Sequence, residues 1–197
     1  MKYIFIGDVH GNLNNCLNVS TANPTSTIVQ IGDYGVGFIP FDVFLRLPEN
    51  FKFFPGNHDQ RQLCHKLPHC LGDYGEVNNH FFFVSGADSI DKRNRIEGVS
   101  WWDDEELTYK QAEDCLVKWE KSKVDVLVTH DAPQSFVEKY MLMYDRCLTR
   151  DLIQTMIEVR KPNILISGHH HKKIRLTHND ILWVSLGIDE QLSLDIF

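Results

Sequence analysis

Tyr3-Ile4-Phe5-Ile6-Gly7-Asp8-Val9-His10-Gly11 sets the reading of the chain. Four β-branched or aromatic residues run into a glycine. After it come two side chains, Asp8 and His10, that bind metal ions well. A short apolar run of this kind bounded by glycine reads as a buried strand. Glycine at its end lets the backbone turn sharply and lets an ion approach. An apolar run ending in a polar, metal-competent turn recurs four more times. Ile28-Val29-Gln30-Ile31 leads to Gly32-Asp33, and Phe51-Lys52-Phe53-Phe54 leads to Pro55-Gly56-Asn57-His58-Asp59. Val124-Asp125-Val126-Leu127-Val128 leads to Thr129-His130-Asp131, and Ile164-Leu165-Ile166 leads to Ser167-Gly168-His169-His170-His171.

Helical patterns lie between several of these strands. Thr108-Tyr109-Lys110-Gln111 is a capping box that predicts a helix running to about Ser122. A second helix is predicted from Thr149, with Leu152, Ile153, Met156 and Ile157 on one face, stopping before Pro162. Strands alternating with helices predict an α/β fold. In such folds ligands sit beyond the carboxyl ends of the strands, and all five polar turns fall there. Phe81–Val84, Gly98–Trp102 and Ile181–Leu186 read as further strands.

The chain has 197 residues, 43% hydrophobic and 24% charged, which fits one domain spanning 1–197. Its net charge of −7 disfavours a nucleic-acid partner, since such proteins are usually basic. The five cysteines (Cys16, Cys64, Cys70, Cys115 and Cys147) form no C-x-x-C pair and read as free thiols of a reducing compartment. No secretory leader is legible after Met1, and no apolar run approaches the ~20 residues that span a bilayer. A cytoplasmic protein without a membrane partner is the expectation.

Together the turns offer Asp8, Asp33, Asn57, His10, His130, His169 and His171. This set of oxygen and nitrogen donors without thiolate suits manganese, iron, zinc, cobalt or nickel. It also exceeds what one tetrahedral ion needs.

The ordered series GDVHG, GD, GNHD, THD and GHHH resembles the calcineurin-like metallophosphoesterases, whose motifs are GDxH, GD, GNH[DE], H and GHxH. The match runs from Gly7 to His171. The resemblance implies a four-layer sandwich of two mixed β-sheets flanked by α-helices, with a dinuclear metal site at the strand ends. It implies one ion, most simply Mn2+, on Asp8, His10, Asp33 and His171. A second ion would sit on Asp33, Asn57, His130 and His169, with Asp33 bridging. It implies that His58, hydrogen-bonded to Asp59, faces the substrate as a catalytic pair. Two ions about 3.5–4 Å apart can clamp an in-line displacement and supply a bridging hydroxide near neutral pH. The implied activity is hydrolysis of a phosphorylated substrate: a small phosphoester, a nucleotide or a phosphoprotein.

The second motif, Gly32-Asp33-Tyr34-Gly35, lacks the VDRG continuation of protein serine/threonine phosphatases. That leaves a broad phosphatase or phosphodiesterase as the first reading, with a nuclease, a protein phosphatase and a non-catalytic metal-binding module as alternatives. His58 argues against the last. His170, between two ligand candidates, is expected to turn away by strand alternation. His65, His69, His80 and His178 read as surface residues. Trp101-Trp102 reads as core packing. Arg61, Lys92, Arg93 and Arg95 read as surface charges, although each could reach a phosphate.

Overall fold

The computed structural model describes residues 1–196. Each of the five apolar runs contributes a strand. β1 (Lys2–Ile6), β2 (Thr27–Gln30) and β3 (Phe51–Phe53) lie parallel in one sheet, with β10 (Gln191–Asp195) antiparallel on the outer side of β1. The second sheet has the order β4 (Tyr74–Val77), β5 (Phe81–Val84), β6 (Val126–Thr129), β7 (Ile164–Ser167), β9 (Ile181–Ser185), β8 (Ile174–His178). Its four inner strands are parallel, and the edge strands β4 and β8 run antiparallel to them.

Successive side chains of a strand point to opposite faces. Here both faces are covered, which accounts for runs that are apolar throughout. Tyr3 and Phe5 of β1 enter the layer between the sheets with Val29, Phe81, Phe83 and Val128. Phe81 packs edge-on against both Tyr3 and Phe5, with ring centroids 5.3 and 5.4 Å apart. Ile4 and Ile6 point the other way, onto Cys16 and Val19 of α1 (Leu13–Ala22). In the second sheet Phe82, Leu127, Leu165 and Trp183 face outward. They meet α3 (Tyr109–Lys121), α4 (Gln134–Met141) and α5 (Leu148–Val159) through Trp119, Phe136 and Ile153. Each fully buried side chain of this size contributes roughly 1.5–3 kcal/mol. The order helix, sheet, sheet, helices is the four-layer sandwich that the resemblance implied.

The capping box at Thr108 is present. Gln111 N–H donates to Thr108 Oγ1 at 3.3 Å, and the Gln111 side chain accepts from Thr108 N–H at 2.9 Å. The second helix starts one residue earlier than expected. Cys147 is its N-cap and makes no side-chain cap bond. Thr149 is buried in the first turn, where its N–H is held by Glu106 at 2.8 Å. A short helix, α2 (Arg61–Cys64), follows the third polar turn.

Two further expectations are corrected. Gly98–Trp102 is a turn, because Gly98 adopts φ 75° and the Ile96 carbonyl accepts from Val99, Ser100 and Trp101. Trp102 is nonetheless buried, with Phe38 edge-on at 5.2 Å. Of the four histidines assigned to the surface, only His65 is exposed. His69 is buried, His80 bonds the Tyr3 hydroxyl at 2.8 Å, and His178 packs on Phe136. All five cysteines are free thiols. Among the described residues no helix is long and apolar enough to cross a membrane.

Candidate metal centre

The carboxyl ends of β1, β2 and β3 meet those of β6 and β7, so the five polar turns converge. Two glycines make this possible. A Cβ on Gly32, which has φ 103°, would collide with the His130 ring, and one on Gly56 would collide with the Asp33 carboxylate. Neither position admits a side chain.

Asp8, His10, Asp33 and His171 offer donor atoms within 4.8 Å of one another, and so do Asp33, His130 and His169. The two groups share Asp33. His171 Nε2 lies 3.0 Å from Asp8 Oδ2 and 2.9 Å from His10 Nε2. His130 Nε2 lies 3.2 Å from Asp33 Oδ1 and 3.0 Å from Asn57 Oδ1, which brings Asn57 into the second group. All seven side chains singled out in the sequence are therefore gathered at one place.

Whether this cluster suits metal ions is tested by what its buried atoms lack. Asp33 Oδ2 and His169 Nε2 are buried and have no hydrogen-bond partner among the described residues, and Asp8 Oδ2 is buried beside the His171 ring at 3.0 Å without hydrogen-bond geometry. A buried polar atom left unsatisfied costs about 1–3 kcal/mol, and more when charged. Three such atoms facing one cluster of carboxylates and imidazoles fit cation ligands. The other donor atoms are held in place from behind. His130 Nδ1 is 2.9 Å from the Ile31 carbonyl, and Asp8 Oδ1 accepts from the backbone of His169 at 3.0 Å. Partners of this kind orient first ligands and set the tautomer.

Electrostatics agree with this reading. Burial penalises the Asp33 carboxylate, yet His130, His58 and His10 around it hold it well below the usual carboxylate range. Burial acts against a charged His130 too, but Asp33 beside it raises the imidazole. Burial drives the His169 imidazole down to about 3.

The third polar turn departs from expectation. Asp59 does not touch His58. Its buried carboxylate accepts from the backbone N–H groups of Tyr34 (2.9 Å), Gly35 (2.7 Å), Val36 (3.0 Å) and Gly56 (2.9 Å). Asp59 thus ties the loop after Asp33 to the loop that carries Asn57. The ring of His58 is met instead by Arg95, whose Nη2 is 3.2 Å from His58 Nε2. Burial lowers the His58 pKa; Asp33 opposes this and Arg95 adds to it. Arg95 was read as a surface charge, but its side chain is only 20% exposed. It borders both cavities at the site, of about 290 and about 350 Å³.

His170 lines the same cavity, but its ring is engaged outside the two donor groups. His169 and His171 have φ 64° and 53°, so the segment is not extended and strand alternation does not apply. His170 Nε2 bonds Asp131 at 2.8 Å. Asp131, His169 and His170 form a third close group. The Asp131 oxygens, however, are also taken by Arg150 Nε (2.9 Å) and Ala132 N–H (2.7 Å). This group is a buried ion pair network, and a cation would compete with Arg150 there.

Comparison with known proteins agrees with the geometry. The family model for calcineurin-like phosphoesterases matches residues 1–173. Among solved structures, a putative 5'-nucleotidase from Staphylococcus aureus, crystallised with alpha-ketoglutarate, is 14% identical with a TM-score of 0.57. The alignment covers 98% of this chain and 50% of that one, so the chain spans about half the length of that protein. A novel archaeal phosphodiesterase is 15% identical over 100% of both chains, with a TM-score of 0.49. At 14% identity the likeness to the putative nucleotidase is one of fold. No curated protein matches the chain.

Proposed function

The chain belongs to the calcineurin-like phosphoesterase family; on that premise we propose that it is a metal-dependent phosphoesterase that hydrolyses phosphate esters at a dinuclear centre bridged by Asp33. The supporting observation is the pair of donor clusters that share this one carboxylate, with three buried donor atoms that make no hydrogen bond.

Asp8, His10, Asp33 and His171 would hold one ion, and Asp33, Asn57, His130 and His169 the other. Manganese suits this mixed oxygen and nitrogen set. Divalent ions at such a site neutralise phosphoryl charge and activate water. The chain's own residues do the rest. His58 borders both cavities of the cleft, and it is not needed to complete either donor group. It is placed to protonate the departing alcohol or to stabilise phosphoryl oxygens. Asp59 is a positioning residue that fixes the backbone on either side of the Asp33 carboxylate. The cleft is open and bordered by the exposed side chains of Ile90 and Phe38, which suits phosphorylated substrates of varied size.

A hydrolysis panel with manganese, iron, zinc, cobalt or nickel added in turn tests this reading. It would compare a phosphomonoester, an aryl phosphodiester, cyclic nucleotides, a phosphopeptide and single-stranded DNA. Hydrolysis of at least one ester that requires added metal and is lost in Asp33→Asn is the expected result. Metal-independent turnover would overturn the proposal.

A further inference from the structure

A separate cavity of about 360 Å³ lies between the loop after α4 and the segment from Asp88 to Arg93. None of the seven donor residues borders it, nor do His58 and Arg95; it shares only Ile90 and Met143 with the metal cleft. Arg150 of α5 lines this cavity and is 2% exposed. Its Nε donates to Asp131 at 2.9 Å and its Nη1 to the Asp145 carbonyl at 3.0 Å. A guanidinium has five N–H groups, so one on Nη1 and both on Nη2 have no partner among the described residues. Unlike Arg160 Nη2, Arg150 Nη2 is not sealed inside the protein; its two N–H groups open into the cavity. Lys92, Arg93 and Arg146 bring the lining to four cations, against two carboxylates, Asp88 and Asp145. Lys92 pairs with Asp88, and Arg146 pairs with Asp151 at 2.7 Å, while Arg93 has no ion-pair partner among the described residues. That balance stands out in a chain of net charge −7.

The geometry points to an oxyanion site at Arg150, separate from the metal centre, that takes a phosphate group. Open N–H groups on a planar guanidinium suit two oxygens of a phosphate. They repel a cation, and a dianion matches the excess of positive charge around them. Asp131 and the Asp145 carbonyl already hold the side chain in place, so little order is lost when an anion binds. The first turn of α5 reaches the cavity through Cys147, an N-cap without a side-chain bond, and a helix N-terminus favours negative charge. Size and lining give the ligand class. Small-molecule sites run from roughly 300 to 1,000 Å³, and Ile90 and Met143 supply an apolar side. The occupant is a free phosphate or the phosphate group of a small molecule. Its binding is independent of whether the metal centre hydrolyses esters.

Equilibrium dialysis with inorganic phosphate tests the site. Manganese-loaded protein should bind one phosphate at the metals and another at Arg150, and chelator-treated protein should keep only the second. Arg150→Lys should weaken that second site roughly ten- to a hundredfold, the scale of a charge-assisted hydrogen bond, because an ammonium keeps the charge without the planar donors. Arg93→Ala should weaken it about two- to fivefold, the scale for an exposed charge. Arg93 is exposed, so this variant keeps the test open if Arg150→Lys fails to fold. Arg95→Ala, which alters only the metal cleft, should leave the second site unchanged. Competition with phenylphosphonate separates the two sources. Tighter binding than phosphate assigns a phosphorylated small molecule, weaker binding assigns the free ion, and either supports the site. Chelator-treated protein that binds no phosphate would overturn the inference. So would affinity unchanged in both Arg150→Lys and Arg93→Ala, or affinity lost in Arg95→Ala.

Discussion

Asn57 donates its side-chain N–H to Ser89 Oγ at 2.9 Å, and that bond decides which end of the amide faces His130. Ser89 is fixed in turn by Glu105, which accepts from its backbone N–H at 3.1 Å and from its hydroxyl. Without Ser89 the amide of Asn57 is free to turn its nitrogen, which cannot ligate a cation, toward the cluster. Ser89→Ala is therefore expected to weaken the second ion roughly 10–100-fold, the usual scale for an outer partner of a ligand, and to leave the first nearly unchanged. Manganese titration followed by calorimetry checks this. Two unaltered binding steps would rule the role out.

His58→Ala should keep both ions and the fold while kcat falls by about 10²–10⁴-fold, the range for a lost general acid. The loss should be larger for an alkyl phosphate than for a nitrophenyl ester, whose leaving group needs little protonation. Equal losses with metals intact would assign His58 to charge stabilisation.

Asp59→Asn is expected to act on stability before it acts on turnover. Four backbone N–H groups converge on this carboxylate, and an amide offers them one oxygen and one competing NH2. Each buried N–H left without an acceptor costs about 1–3 kcal/mol, and for a chain of this size each kcal/mol lowers Tm by about 2–4 °C. Thermal unfolding should show a clear drop for Asp59→Asn and almost none for His58→Ala. Metal affinity should fall as well, because Asp59 braces the loop that carries Asp33. A native Tm combined with a leaving-group-dependent kcat would restore the Asp59–His58 pair implied by family resemblance.

Removal of metal should leave Asp8 and Asp33 as buried carboxylates, each with an oxygen that makes no hydrogen bond. Saturation with manganese at 100 times its dissociation constant would add about 2.7 kcal/mol of stability for each of the two ions, or roughly 10–20 °C in Tm for both. Asp33→Asn should abolish most of that increment, since both donor groups lose their common member. Unfolding curves with chelator and with excess manganese measure it directly. An undiminished increment in Asp33→Asn would break the shared-ligand assignment.

The inner strands and their turns were legible because parallel strands covered on both faces are apolar without interruption and end in glycine. The edges were not. Ile174-Arg175-Leu176-Thr177-His178 and Gln191-Leu192-Ser193-Leu194-Asp195 alternate, since β8 and β10 are antiparallel with one wetter face, and a search for continuous apolar runs passes over them. Gly98–Trp102 shows the opposite error, where β-favouring side chains sit on a backbone that the carbonyl of Ile96 folds into a turn. The seven ligand candidates were legible from local motifs. Ser89, Glu105 and Arg95 were not: Ser89 reaches Asn57 across 32 positions of chain, Arg95 reaches His58 across 37, and Glu105 acts through Ser89 across 16, and no local pattern marks them. The Asp59–His58 bond came from the resemblance alone, and the Asp59 carboxylate is taken instead by four backbone N–H groups.

Four of the candidate ligands, His10 (φ 42°), Asp33 (59°), His169 (64°) and His171 (53°), occupy the left-handed backbone region. Left-handed backbone at a non-glycine residue costs of order 1–3 kcal/mol, and glycine would relieve it at every one of these positions. A lineage drifting without a use for this site would accumulate glycine there and become more stable. The present chain keeps an imidazole or a carboxylate at all four, against that gradient. The strained backbone at these four positions is therefore kept for the side chains it presents to one another across the cluster.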